Sequence, residues 1–346
     1  MKYRLLGRTG LYVSELCMGT MTFGGASGMW KIIGDLDQAA SSALVKQAFD
    51  AGVNFFDTAN VYGFGAAETI TGAAIKQLGL PRDELVIATK AYSTMKDKVV
   101  NAGGQSRYHL MNQLDASLKR LQLDHVDLYQ LHGYDPLTPL DEVLDTLNDM
   151  VRSGKVRYIG LCNMAAWQVM KGLGISDKRN LARFESVQAY YTVAGRDLER
   201  EVVPLLQDQQ LGLMVWSPLA GGLLSGKYKA DGTGPDGSRR ASFDFPFVDK
   251  ERALRCVGVM QGIAERHGAT VPQVALAWLL DRPSVTTVIM GAKTPAQLAD
   301  NLGAVKVQLD ADDIEALDTA SALPREYPGW MLKRQGDPRR AAPVRG

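Results

Sequence analysis

The sequence predicts an α/β fold, a (β/α)8 TIM barrel with an N-terminal β-hairpin and a long loop after strand 7. Three observations carry this. Eight short apolar, β-rich runs alternate with longer stretches of helical period. Several runs are apolar at consecutive positions, as suits parallel strands buried on both faces. Polar residues recur at the C-terminal ends of successive runs. On pattern alone, an open doubly wound sheet shares the alternation; the count of eight favours closure.

The predicted strands are 16–18, 54–56, 85–89, 126–131, 156–161, 186–189, 213–216 and 287–290. Between them, Leu110, Leu114, Leu118 and Leu121 form one helical stripe. Leu140, Val143, Leu144, Leu147 and Val151 form another. Asp141 and Glu142 suit a helix's first turn, and Ser153-Gly154-Lys155 ends that helix. Three segments fall outside the repeat. Residues 3–13, around Gly7-Arg8-Thr9-Gly10, form a hairpin that plugs the barrel floor. Residues 217–249 are a Gly-, Pro- and Ser-rich loop, long enough to suggest function. Residues 1–325 make one barrel domain; 326–346 make a C-terminal tail whose last ten or so residues, with Arg339 and Arg340, are solvated and partly mobile.

Bulk properties exclude several classes. Among 346 residues, 46% are hydrophobic and 22% charged, and the net charge is +1. Such a balance suits a globular core and offers no global field for nucleic acid or an anionic membrane. The three cysteines, Cys17, Cys162 and Cys256, fit no metal spacing, so no metal is expected, and their sparse odd count suits a reducing compartment. With neither a secretory h-region nor a membrane-length apolar run, the reading is cytoplasmic.

The chemical signal lies at the strand ends: Asp57, Lys90, His132, Asn163, Gln188, Ser217 and Gly291. In a (β/α)8 barrel these converge on one mouth. Tyr62 follows Asp57 on the loop that opens the next helix. A phenol is a poor acid at neutral pH, but a nearby ammonium lowers its pKa. A buried ammonium needs a counterion, which Asp57 supplies, and His132 can orient a carbonyl oxygen. Together they make a general acid aimed at a developing alkoxide, without the nucleophile–base pair of an acyl-transfer enzyme. Gly63-Phe64-Gly65-Ala66-Ala67-Glu68 imitates part of a dinucleotide fingerprint. It follows Tyr62 rather than a strand, and reads as a helix-entry loop.

These residues bring in a family. The chain resembles the aldo-keto reductases over roughly residues 1–320, through GRTGLYVSELCMGTMTFGG (7–25), NFFDTANVYGFGAAE (54–68), VIATK (86–90), VDLYQLH (126–132), GKVRYIGLCN (154–163), VQAYY (187–191), VWSPLAGGLLSGKY (215–228) and VIMGAKTPAQLADNL (288–302). The resemblance implies a barrel that binds NADPH without a Rossmann domain. Its four catalytic residues fall on Asp57, Tyr62, Lys90 and His132. It implies that Gly19, Thr20 and Met21 line the nicotinamide ribose, with Asp57 beside them. Asn163, with Cys162 next to it, and Gln188 meet the carboxamide, and Trp216 stacks on the ring. Ser217, Leu219, Gly221 and Lys227, joined by Arg240, follow the pyrophosphate under the long cofactor-covering loop. Gly291, Lys293, Gln297 and Asn301 grip the adenosine 2′-phosphate. Position 162 is Cys where many members have Ser.

The expected reaction is reversible NADPH-dependent reduction of an aldehyde or ketone to an alcohol. Trp30, Tyr134 and Trp330 are candidate substrate walls. The VWSPL stretch is closest to a subset that includes potassium-channel β subunits. Hence the alternative is a cofactor-sensing binding subunit of a membrane protein or other partner. A Rossmann dehydrogenase would need a glycine fingerprint after the first strand, where the chain reads Met18-Gly19-Thr20-Met21-Thr22. The expected partner is a small carbonyl or alcohol; homo-oligomer formation is left open.

Overall fold

The computed structural model describes residues 1–25, 27–228, 233–234 and 239–336. Strands β1 (Tyr3–Leu5) and β2 (Tyr12–Ser14) pair antiparallel, Leu5 opposite Tyr12. Eight parallel strands follow: β3 (Leu16–Gly19), β4 (Phe55–Asp57), β5 (Val86–Ala91), β6 (Val126–Leu131), β7 (Val156–Cys162), β8 (Phe184–Tyr190), β9 (Gly212–Trp216) and β10 (Val285–Met290). They close in sequence order, because β10 pairs with β3 as well as with β9. All eight lie at the positions read from the sequence. The largest differences at a boundary are of two residues: β8 and β10 begin two early, at Phe184 and Val285, and β5 ends two late, at Ala91; in β8 the register with β7 shifts at Glu185, between the pairs Ile159–Phe184 and Gly160–Ser186.

Closure makes two apolar layers. Between barrel and helices pack residues such as Leu44, Ile87, Leu114, Tyr129, Leu144 and Trp278. Inside the barrel lie Cys17, Phe55, Val86, Ala88, Leu128, Met214 and Ile289, joined by Leu6 and Val13 of the hairpin, which seal the floor. Side chains alternate along a strand, so residues two apart share a face. Stepping by two from this interior layer towards the C-terminal ends leads from Phe55 to Asp57, from Ala88 to Lys90, and from Leu128 to Gln130 and His132. The barrel interior thus turns from apolar to polar just below its mouth.

The helix that carries the loop of Tyr62 is held from outside. Residues Ala66–Gln77 pack against the helix Arg107–Leu121, and Gly72 lies so close that an added Cβ would sit 2.2 Å from the Leu121 carbonyl oxygen. Gly72→Ala is therefore expected to destabilise the fold by about 1–3 kcal/mol through overpacking, measurable by denaturant unfolding. On the same helix the fully buried Glu68 accepts from Arg120 Nε at 2.6 Å and from Thr89 Oγ1 at 2.5 Å. This ties the Tyr62 loop to the strand that bears Lys90.

Beyond residue 325 the chain keeps contact with the body. Glu326 pairs with Arg200 at 2.6 Å, and a short helix spans Gly329–Gln335. The end from residue 337, with Arg339 and Arg340, lies outside the described residues. Among the described residues no helix is long and apolar enough to cross a membrane.

Candidate active site

The Lys90 ammonium lies fully buried at the centre of the polar layer. It donates to Asp57 Oδ2 at 2.5 Å, to the Thr58 carbonyl at 2.8 Å and to Tyr62 Oη at 3.3 Å. An ammonium has three N–H groups and no acceptor, so all three are used. The phenolic oxygen therefore accepts from Lys90, and the phenol keeps its own proton free to donate elsewhere. Asp57 is equally committed: its Oδ1 accepts from the amides of Gln130 and Gln188, both at 3.0 Å. A carboxylate can only accept, so both amide NH2 groups must face it. Gln130 Oε1 then accepts from Gln188 at 3.3 Å and lies 3.9 Å from Cys162 Sγ.

Charge and burial compete over Tyr62. Burial raises its pKa, the Lys90 ammonium pulls it down, and Asp57 pushes it up; the net direction is up. The sequence expectation of a lowered phenol is thus corrected. Lys90 acts in the expected sense, but the dry barrel outweighs it. For Lys90 itself, burial lowers the pKa, and Asp57 and Tyr62 more than reverse this, so it stays charged.

The ring of His132 meets that of Tyr62 edge-on, with centroids 5.7 Å apart. Burial first, then the Lys90 ammonium, lowers its pKa from 6.5 to about 3. The imidazole is neutral at ordinary pH. Its ring-nitrogen resonances are expected to show no titration through pH 6.5; a midpoint there would contradict this environment. The unfolded chain takes up that proton near its ordinary pKa and the folded chain only near 3, so this residue makes stability fall as pH drops between those values.

Around this centre the remaining expected residues fall into groups. Gly19 ends β3, and Thr20 is tied to the Asp57 carbonyl by its backbone N–H at 3.0 Å, with the half-buried Met21 next. Trp216 Nε1 donates to Asn163 Oδ1 at 2.9 Å, while Asn163 Nδ2 reaches the His132 carbonyl at 3.4 Å. Asn163 and Ser217 have φ of 55° and 50°. Such left-handed backbone is uncommon outside glycine, and it tends to cluster at functional sites. Gly291, Lys293, Gln297 and Asn301 meet at the start of the helix Pro295–Gly303. Lys293 N donates to Gln297 Oε1 at 2.8 Å, and Asn301 Nδ2 to the Gly291 carbonyl at 3.3 Å. Lys293 Nζ reaches across to the Ile32 carbonyl at 3.0 Å.

Several residues sit differently from the expectation. Cys162 is fully buried beside Gln130, beneath the mouth rather than on it. Burial pushes its thiol pKa up. Arg240 is turned inward: it donates to the carbonyls of Ala220 and Pro246 and pairs with Asp244, folding the long loop on itself. Gly221 N–H is taken by Ser217 Oγ at 3.1 Å, whereas no hydrogen bond from the Leu219 N–H occurs within the described residues. The Lys227 ammonium lies 5.7 Å from the Tyr228 ring. Trp30 packs at 5.7 Å from Tyr62. Tyr134 packs on Trp167, and Trp330 on Tyr327.

Three residues of the site were not read from the sequence. Gln130 lies two positions before His132, and strand alternation puts it on the same face. Thr58 contributes only its carbonyl and has no sequence signal. Phe245, on the long loop, stacks on Trp216 with centroids 5.9 Å apart and planes 9° from parallel; only the fold brings it there.

The family model described as the Aldo/keto reductase family matches residues 15–322. The chain belongs to that family. Relatives of this aldo-keto reductase include the uncharacterized oxidoreductase YrpG of Bacillus subtilis, 39% identical over 92% of this chain and 95% of the relative. A putative voltage-gated potassium channel subunit beta of Schizosaccharomyces pombe is 38% identical over 88% of each chain. Versiconal hemiacetal acetate reductase of Aspergillus parasiticus is 31% identical over 95% of this chain and 99% of its own length. The family and its oxidoreductase relatives support an oxidoreductase activity for the present aldo-keto reductase.

Proposed function

We propose that this chain is an NADPH-dependent oxidoreductase that reversibly reduces aldehydes or ketones to alcohols, with Tyr62 as general acid and base. The observation that carries the reading is the direction of the hydrogen bond between Lys90 and Tyr62. Lys90 can only donate, so the phenol is left with a proton to give and an oxygen that is stabilised once it has given it. Neutral His132 beside it orients a carbonyl oxygen without competing as an acid.

The residues fit the cofactor. Gln188 directs its NH2 to Asp57, and its Oε1 makes no hydrogen bond within the described residues, so it can accept from a carboxamide. Trp216, fixed by Asn163, is a flat apolar platform that already takes one stacked ring, that of Phe245. The helix start at Lys293, with Gln297 and Asn301, offers charge and dipole to a phosphate. When bound, NADPH supplies the hydride; the protein supplies position and charge. Asp57 holds Lys90, Lys90 holds the Tyr62 oxygen, and Tyr62 protonates the carbonyl oxygen as hydride arrives at its carbon. In the oxidation direction the same phenolate takes the alcohol proton.

The likeness to the potassium channel subunit supports a second reading, a cofactor-binding partner subunit. The intact Asp57–Lys90–Tyr62–His132 arrangement favours turnover. The deciding experiment follows NADPH consumption over a panel of aldehydes and ketones. Turnover of several is expected. Tight NADPH binding without turnover of any would favour the partner reading.

A further inference from the structure

We infer that Phe64, two residues beyond the proton donor, is a specificity-determining residue that fits the site to planar aryl carbonyl compounds. The inference rests on the carbonyl-reductase reading above and names the substrate class for that site.

Phe64 is held in an unusual state on two counts. Its backbone is left-handed, φ 52° and ψ 44°, between Gly63 and Gly65, whose φ values are also positive. A bulky residue in that conformation costs about 1–2 kcal/mol, which glycine would avoid. The residue is also 57% exposed, although Trp30 nearby is only 8% exposed. Neither packing nor turn geometry asks for a phenylalanine here.

The position of the ring supplies a reason. His132 and Tyr62 meet edge-on at 5.7 Å, Tyr62 and Trp30 at 5.7 Å, and Trp30 and Phe64 at 6.4 Å with planes 81° apart. These contacts link the four rings in a chain that runs from the buried proton donor and Trp30 out to the exposed Phe64, and we take it as one wall of the mouth. Edge-to-face and offset aromatic contacts suit a flat aromatic guest. A polyhydroxylated chain would leave its hydroxyls facing carbon along the same wall. In this left-handed turn the Phe64 ring packs edge-on against Trp30.

The test compares kcat/KM for 4-nitrobenzaldehyde and for glyceraldehyde in wild type, Phe64→Asn and Phe64→Tyr. Asparagine tolerates left-handed backbone, so Phe64→Asn should unfold close to the wild-type midpoint. Its kcat/KM for the aryl aldehyde is expected to fall about tenfold, through KM, as one aromatic contact is lost. Glyceraldehyde kinetics should stay near wild type, and Phe64→Tyr should keep the aryl preference. Equal losses on both aldehydes, no loss on either, or a wild type that prefers glyceraldehyde would overturn the inference. If the wild type reduces neither aldehyde, the carbonyl-reductase reading fails separately. Calorimetric binding of 4-nitrobenzoate in the presence of NADP+ then decides: weaker binding in Phe64→Asn sustains the aryl wall, and no binding to wild type or equal binding to both removes it.

Discussion

Tyr62→Phe is expected to lower the rate of carbonyl reduction by about 10²–10⁴-fold, the usual contribution of a positioned general acid. The change removes one hydroxyl and little else. The ring stays in contact with Trp30 and His132, and Lys90 retains Asp57 and the Thr58 carbonyl as partners. Folding and NADPH affinity should therefore change little, and the loss should appear in kcat rather than in cofactor binding. Steady-state rates, with cofactor affinity taken from fluorescence quenching, separate the two. A variant that turns over at the wild-type rate would mean that another group delivers the proton, and the role assigned to Tyr62 would be wrong.

Lys90→Met should have the largest effect on stability, a loss of about 3–5 kcal/mol, because it leaves a buried carboxylate without its cation. Asp57 is 2% exposed, and its remaining partners are the two neutral amides of Gln130 and Gln188. Amide dipoles soften an isolated charge but do not balance it. Removing both charges, as in Asp57→Leu with Lys90→Met, should recover part of the loss, since an apolar pair carries no desolvation penalty. Denaturant unfolding of the two variants checks this. If the single variant unfolds at the wild-type midpoint, the pair does not stabilise the barrel. Activity should vanish in both variants, because Tyr62 loses the donor that stabilises its anion.

Much of this centre was legible in the sequence because strand periodicity carries direction. Asp57, Lys90 and His132 each stand at the end of an apolar run, and alternation decides which face they occupy. The same rule reaches Gln130, although a glutamine inside a strand carries no chemical signal of its own, as a histidine at its end does. Arg240 shows the opposite limit. Its type suggests a phosphate contact, but a guanidinium can equally bind carbonyls, and here it gathers the loop around Ala220 and Pro246. Residue type is written in the sequence; the direction of a loop side chain is not. Phe245 depends on that loop's path and had no local signal. The net direction of the Tyr62 pKa is not written in the sequence, which displays the neighbouring ammonium but not the depth of burial that outweighs it. Glu68 reads as part of a helix entry, and it is that; its second role, binding Arg120 and Thr89, needs three distant segments to meet.

The sealed floor has a consequence for traffic. Leu6 and Val13 close the lower end of the barrel, and the ring of strands has no gap at its sides. Substrate, water and exchangeable protons therefore share a single door. The Lys90–Asp57 pair is already shut away from bulk solvent beneath that door. If Tyr62 is the proton donor, as proposed, its spent proton would return only by the way the product leaves, and departure of product and recharging of the acid would become one event in the cycle rather than two.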